Sequence, residues 1–201
     1  SELRWSLDGY PVAGLSGTGT INNDGLIDIG GTGESISFAG TLNGTGTLEK
    51  SGSGSFEFTG SGDFSGTVAV NGGHMAMNGD LSSADFTVGQ GASIGGNGKI
   101  GSFTGQSGAI FRPGNSIDTI TVINDHRFGG ATYEVEINAA GQSDKTEVGG
   151  VAYLDDSPLS IIAEPGVYTP GTPYQILTAA SIDGRFGDPP RLDTINLGES
   201  H

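Results

Sequence analysis

Short stretches in which apolar residues alternate with small or polar ones recur along the chain, and Gly-rich segments separate them. Gly25-Leu26-Ile27-Asp28-Ile29, Ser35-Ile36-Ser37-Phe38, Ser55-Phe56-Glu57-Phe58-Thr59 and Thr67-Val68-Ala69-Val70 carry the two-residue period of strands with one buried face. No segment shows the 3.6-residue apolar period of a helix, so no long helix is expected. Alternation predicts a buried set that includes Leu15, Ile21, Ile27, Ile29, Phe38, Leu42, Leu48, Phe56, Phe58, Val68, Val70, Ile94 and Ile100.

One pattern repeats: a hydrophobic residue, then two glycines at alternate positions, then a second hydrophobic residue. The copies run Leu15-Ser16-Gly17-Thr18-Gly19-Thr20-Ile21, Leu42-Asn43-Gly44-Thr45-Gly46-Thr47-Leu48 and Ile94-Gly95-Gly96-Asn97-Gly98-Lys99-Ile100. Their starts lie 27 and then 52 residues apart, which reads as a step of about 26 with a degenerate copy at Phe64–Val70. A step in the twenties fits one coil of a solenoid built from three short strands and three turns, with like side chains stacked about 4.8 Å apart along the axis. The expected fold is all-β, a right-handed parallel β-helix (solenoid) with a C-terminal β capping module.

From about residue 115 glycine thins out and longer strand-like runs appear: Tyr133–Ile137, Thr146–Val148, Val151–Leu154, Leu159–Ile162 and Tyr174–Leu177. The expected organisation is therefore 1–114 as Gly-rich coils, 115–188 as a capping module and 189–201 as a divergent tail. An open last coil exposes unpaired backbone groups, and a cap prevents that. The large apolar residues of this half include Tyr133, Val135, Ile137, Val148, Tyr153, Leu154, Leu159, Ile161, Ile162, Tyr174, Ile176, Leu177 and Phe186.

Composition narrows the function. There are 38 glycines in 201 residues without a strict every-third-residue period, which excludes collagen. The 23 acidic against 8 basic residues give a formal net charge of −15, and no Lys/Arg cluster occurs, so neither nucleic acid nor an anionic membrane is an expected partner. The acids are scattered (Asp8, Asp24, Asp28, Glu34, Glu49, Glu57, Asp63, Asp80), as suits solubility and mutual repulsion. Cysteine is absent, which removes disulfides and thiolate metal sites. No signal peptide, long apolar run or barrel hairpin is recognisable, so the chain is expected to be a fragment of a longer precursor that does not itself insert into a membrane.

The stretch from Val70 to Ser116, with Asn71-Gly72-Gly73, Leu81-Ser82-Ser83-Ala84, Val88-Gly89-Gln90-Gly91-Ala92 and Pro113-Gly114-Asn115-Ser116, resembles the passenger coils of Gram-negative autotransporters. Tyr133–Glu136, Ser143-Asp144-Lys145, Val148–Ala152 and Tyr174–Ala179 through Gly184-Arg185-Phe186 are similar to that family's terminal autochaperone module. The resemblance implies a β-helix whose C-terminal module nucleates folding outside the cell, displayed at the outer membrane by the precursor's own C-terminal β-barrel translocator. Two stretches depart from the family pattern: Thr146 stands where an apolar residue is usual, and Gly187–Asp193 does not read as a run into a linker helix and barrel.

His74, His126 and His201 are the available imidazole bases, and Gly62-Asp63-Phe64-Ser65-Gly66 only superficially resembles a serine-nucleophile loop. His74 and His126 read as surface or corner residues. Asp155-Asp156, and Asp24 with Asp28, are the paired carboxylates for glycoside hydrolysis; neighbours on a strand face opposite ways, so the first pair requires a turn, which Ser157-Pro158 favours. Lys99 occupies the ligand position of the only calcium-repeat-like stretch, Gly95–Lys99. Trp5 and Tyr10 suit coverage of an exposed coil better than sugar stacking.

No residue is assigned a catalytic, cofactor-binding or metal role, and no cofactor is expected. The leading reading is a non-catalytic, membrane-proximal stalk of a secreted passenger. The alternatives are an adhesin binding a host protein or glycan along its side and, behind that, a polysaccharide-active enzyme.

Overall fold

A computed structural model of the chain describes residues 2–3, 11–12, 15–30, 33 and 35–187. Among the described residues there is no helix, and every pairing between strands is parallel. The strands stack into a β-solenoid with three faces. One face is a seven-stranded sheet of Ser35–Phe38, Ser55–Phe58, His74–Met77, Ser93–Gly96, Ile110–Pro113, Thr132–Ile137 and Leu159–Ala163. A second contains Leu26–Gly30, Thr47–Ser51, Thr67–Val70, the second half of Asp80–Val88, and the second half of Lys99–Gly105. It continues through His126–Arg127 and Lys145–Tyr153 to Leu177–Asp183. The third is narrow: Thr20–Asn22 pairs with Thr41–Asn43, single bridges at Ser61 carry the stack to Asp80, and Lys99-Ile100 and Thr121-Val122 follow.

The predicted 26-residue step is not the coil length. Consecutive strands of the seven-stranded sheet begin 20, 19, 19, 17, 22 and 27 residues apart. The three copies of the glycine pattern do share a backbone conformation, since Gly17, Gly44 and Gly96 have φ of 113°, 111° and 111°, a region that side chains oppose. They do not share a corner. Gly17 pairs with Phe38, whose column runs on through Phe58 and Met77 towards Gly96, whereas Gly44 lies one face further on, beside Asn23 and Phe64. One coil plus one face therefore separates the first two copies. The degenerate copy is real in a different register: Val68 sits on Leu48.

Inside the tube the side chains form ladders. Ile36, Phe56, Met75, Ile94, Phe111, Tyr133 and Leu159 occupy one column of the seven-stranded sheet. Ile27, Leu48, Val68, Phe86, Phe103, His126 and Ala152 occupy one column of the second face. Ile21, Ile29, Phe38, Leu42, Leu48, Phe56, Phe58, Val68, Val70, Ile94 and Ile100 are buried as alternation requires, while Leu15 and Ile27 are half-buried. Each buried aliphatic or aromatic rung is worth about 1.5–3 kcal/mol. That contribution recurs coil after coil.

Two predicted strands in the second half are drawn differently. Thr146–Val148 and Val151–Leu154 are one strand, Lys145–Tyr153, whose register shifts between Val148 and Val151 where Gly149-Gly150 turns the corner. The strand assigned to Tyr174–Leu177 begins at Leu177 and runs to Asp183. Residues 174–176 form a loop instead, and the Tyr174 hydroxyl donates to the Asn138 carbonyl at 2.8 Å. Tyr133, Val135, Ile137, Val148 and Leu154 are buried, but Tyr153, Leu159, Ile161, Tyr174, Ile176, Leu177 and Phe186 are only half-buried and Ile162 is exposed. All of these except Tyr153 belong to the last described coil, which has a described neighbour on one side only; Tyr153 lies between Arg127 and Asp183.

Candidate functional site

Outward positions of the seven-stranded sheet bring His74 beside Ser93 one coil on, with Nδ1 2.9 Å from the Ser93 hydroxyl. The half-buried ring is held neutral more readily than usual, first because burial costs its charged form hydration and then because Arg112 and Lys50 oppose a further positive charge. The Ser93 hydroxyl also reaches the Gly73 carbonyl at 3.4 Å. Among the described residues no carboxylate bonds to His74. The pair is thus a nucleophile and base without the orienting third group that serine chemistry uses. Ser93 was not singled out in the sequence, because it meets His74 only through the 19-residue coil step.

His126 corrects the expectation of a surface or corner residue. It occupies the interior column between Phe103 and Ala152, fully buried, stacked on Phe103 at 4.4 Å between ring centroids and met by Phe111 and Phe128 at 4.6 and 4.2 Å. His201, Trp5 and Tyr10 lie outside the described residues.

The paired carboxylates are separated by their partners. Asp155 and Asp156 do form a turn, both in the left-handed region at φ of 51° and 50°. Asp155 takes both a 2.9 Å ion pair from Arg127 and the Gly129 N–H, while Asp156 takes Arg185 at 3.1 Å. Asp24 accepts from the Thr45 backbone and hydroxyl, and Asp28 accepts from the Ser51 hydroxyl one coil above. Each of these acids fastens one coil to the next. In the stretch Gly62–Gly66, Phe64 is fully buried.

Two further charged groups went unnoticed in the sequence as structural elements. Lys50 takes a rung of the interior column between Ile29 and Val70, and its ammonium donates to the carbonyls of Ser51, Gly52 and Gly72 at 2.5, 3.0 and 3.2 Å. Burial lowers its pKa, and Asp28 partly offsets that. Asp144, buried, accepts the backbone N–H of Asp118 at 3.1 Å and of Glu136 at 2.7 Å. Lost hydration lifts its pKa to about 6 against the pull of those two bonds.

On the third face Thr41, Asn43, Ser61, Asp63, Asp80 and Ser82 line a shallow polar groove of about 390 Å³. Asn43 spans it, donating to Asn22 and accepting from the Asp63 N–H. The only sequence signal for this grouping is its spacing of about one coil, which the 26-residue reading concealed. Across the described residues no three His, Cys, Asp or Glu side chains gather as metal ligands.

No protein-family model matches the chain. Over 110 residues, 54% of its length, the chain is 29% identical to a protein of Serratia marcescens described as an extracellular serine protease. The match spans 10% of that protein. A parallel β-solenoid that resembles a small part of an extracellular protein is what fold and comparison together define.

Proposed function

We propose that the chain is a non-catalytic stretch of an autotransporter passenger, the membrane-proximal stalk that carries and helps fold the exposed protein during outer-membrane translocation. The observation that supports this reading is the unbroken interior: one column of the second face runs from Ile27 to Ala152, so stability is a sum over stacked coils and a folded end can template the next one. Such a rod folds progressively from one end as it emerges, and coils already folded outside oppose return. The similarity to part of an extracellular protein fits secretion. Asp24, Asp28 and Asp155 outside the tube are engaged in fastening coils, which suits a load-bearing element better than a catalytic centre.

In this reading residues 115–188 are the capping module that folds first, and the partner is the precursor's own β-barrel. Antibodies raised against the chain should stain intact cells of the producing bacterium, and external protease should remove the signal. Staining only after permeabilisation would overturn the proposal. Reaction of Ser93 with a fluorophosphonate probe, abolished by His74→Ala, would overturn its non-catalytic part.

The third-face groove supports adhesion to a host glycan as a second reading, because hydroxyl, amide and carboxylate groups converge there without large side chains. Glycan-array binding lost in Asp63→Ala would favour it.

A further inference from the structure

We propose that His126 is an acid-sensitive break point in the rod: protonation of its ring opens the coil between the Lys99–Gly105 and Lys145–Tyr153 strands and loosens the C-terminal coils from the rest.

The geometry leaves the ring no way to carry charge. Neither ring nitrogen has a hydrogen-bond partner, and the side chain is fully buried. Phe103 faces it from the Lys99–Gly105 strand, Phe111 from Ile110–Pro113, Phe128 from just beyond its own strand, and Ala152 from Lys145–Tyr153. The charged groups of these strands are directed elsewhere. Arg112 lies 3.4 Å from Glu134, Arg127 covers the Tyr153 ring and pairs with Asp155, Lys145 pairs with Glu147, and Lys99 lies 3.9 Å from Asp80. The Asp125 carboxylate accepts the Val151 N–H, and the nearby Tyr133 hydroxyl is bonded to Thr146. Burial alone accordingly drives the His126 pKa down to about 3. A cation is attracted to aromatic faces, but that attraction does not replace the hydration lost by two new N–H donors with no acceptor.

The second face is also thin in this coil. His126–Arg127 is a two-residue strand, separated from Thr119–Val122 by Ile123–Asp125, which are exposed. Opening there exposes the imidazole to water at the cost of two ladder residues. The sign follows from linkage. The closed coil binds its proton only near pH 3 and the open one near 6.5, so closure is fully favoured above 6.5. It then weakens by about tenfold in the closing equilibrium for each pH unit between them.

Hydrogen exchange and histidine NMR on the intact chain test this. From pH 7 to 5, protection factors at Phe103, Arg127, Phe128 and Tyr153 should fall by about 25-fold relative to those at Leu48 and Val68. The His126→Phe variant, which completes the aromatic column, should abolish the difference. His126→Gln, polar but not titratable, should also show no pH dependence even though it weakens the coil, and it serves should the phenylalanine variant misfold. The ring resonance of the closed state should stay neutral at pH 5. A closed-state ring that titrates near its ordinary value, or the same fall in protection in either variant, would overturn the proposal.

Discussion

The Tyr133 hydroxyl lies 2.9 Å from the Thr146 hydroxyl inside the tube, where both side chains are fully buried. Thr146 is therefore one member of an interior hydroxyl pair, and Tyr133 donates onward to the Ile176 carbonyl. Tyr133→Phe leaves the buried Thr146 hydroxyl without this partner and takes one of two hydrogen bonds from the Ile176 carbonyl, which keeps the Thr146 N–H, and should cost about 1–3 kcal/mol in urea unfolding. Thr146→Val in that background should cost less than it does alone, since the hydroxyl it removes is already orphaned. Strict additivity in the double-mutant cycle would show that the pair does not couple.

Gly40, Gly60, Gly79 and Gly98 stand in one column at the corner leading into the third face, each over the carbonyl of the glycine below. A methyl group at Gly60 would lie 1.8 Å from the Gly40 oxygen, closer than atoms approach. Gly60→Ala should therefore destabilise the rod by about 3 kcal/mol or more, whereas alanine at the open Gly25 should be nearly neutral. Thermal unfolding followed by circular dichroism distinguishes the two.

Asp144 should make the chain less stable as pH rises. Its folded pKa of about 6 exceeds the unfolded value of 3.8, so the folded state holds the extra proton between these limits, and this stabilisation is lost as pH rises through 6. Between pH 4 and pH 7 the urea midpoint of the parent chain should fall relative to that of Asp144→Asn. An unchanged difference would place the titration elsewhere.

If the C-terminal module nucleates folding, amide protection at neutral pH should be highest in Thr132–Ile137 and Lys145–Tyr153 and should outlast that in Thr20–Asn22 and Leu26–Gly30. The physical ground is the aromatic packing there: Tyr133 meets Phe111, Phe128 and Phe186, with ring centroids 5.0–6.1 Å apart. Equal or reversed protection would remove the basis for the folding role and move the adhesion reading ahead.

Alternation of apolar and polar residues was enough to identify strands, their buried faces and the absence of helix among the described residues, because a strand's period of two is a local property. Ser35–Phe38 and Thr67–Val70 begin and end where the pattern placed them. Even the unusual backbone of Gly17, Gly44 and Gly96 was legible as a repeated motif. The coil length was not, since the same turn chemistry serves two corners and spacing alone cannot tell one from the other. The interior positions of His126, Lys50 and Thr146 were hidden for the same reason: their sequence neighbours are ordinary, and only the stacking of successive coils puts an imidazole among phenylalanines, an ammonium over three carbonyls and a hydroxyl beside a tyrosine. Local sequence determined which backbone each segment adopts; the register between coils decided which polar side chains lie in water and which in the core, because that depends on contacts the chain makes only after winding back on itself.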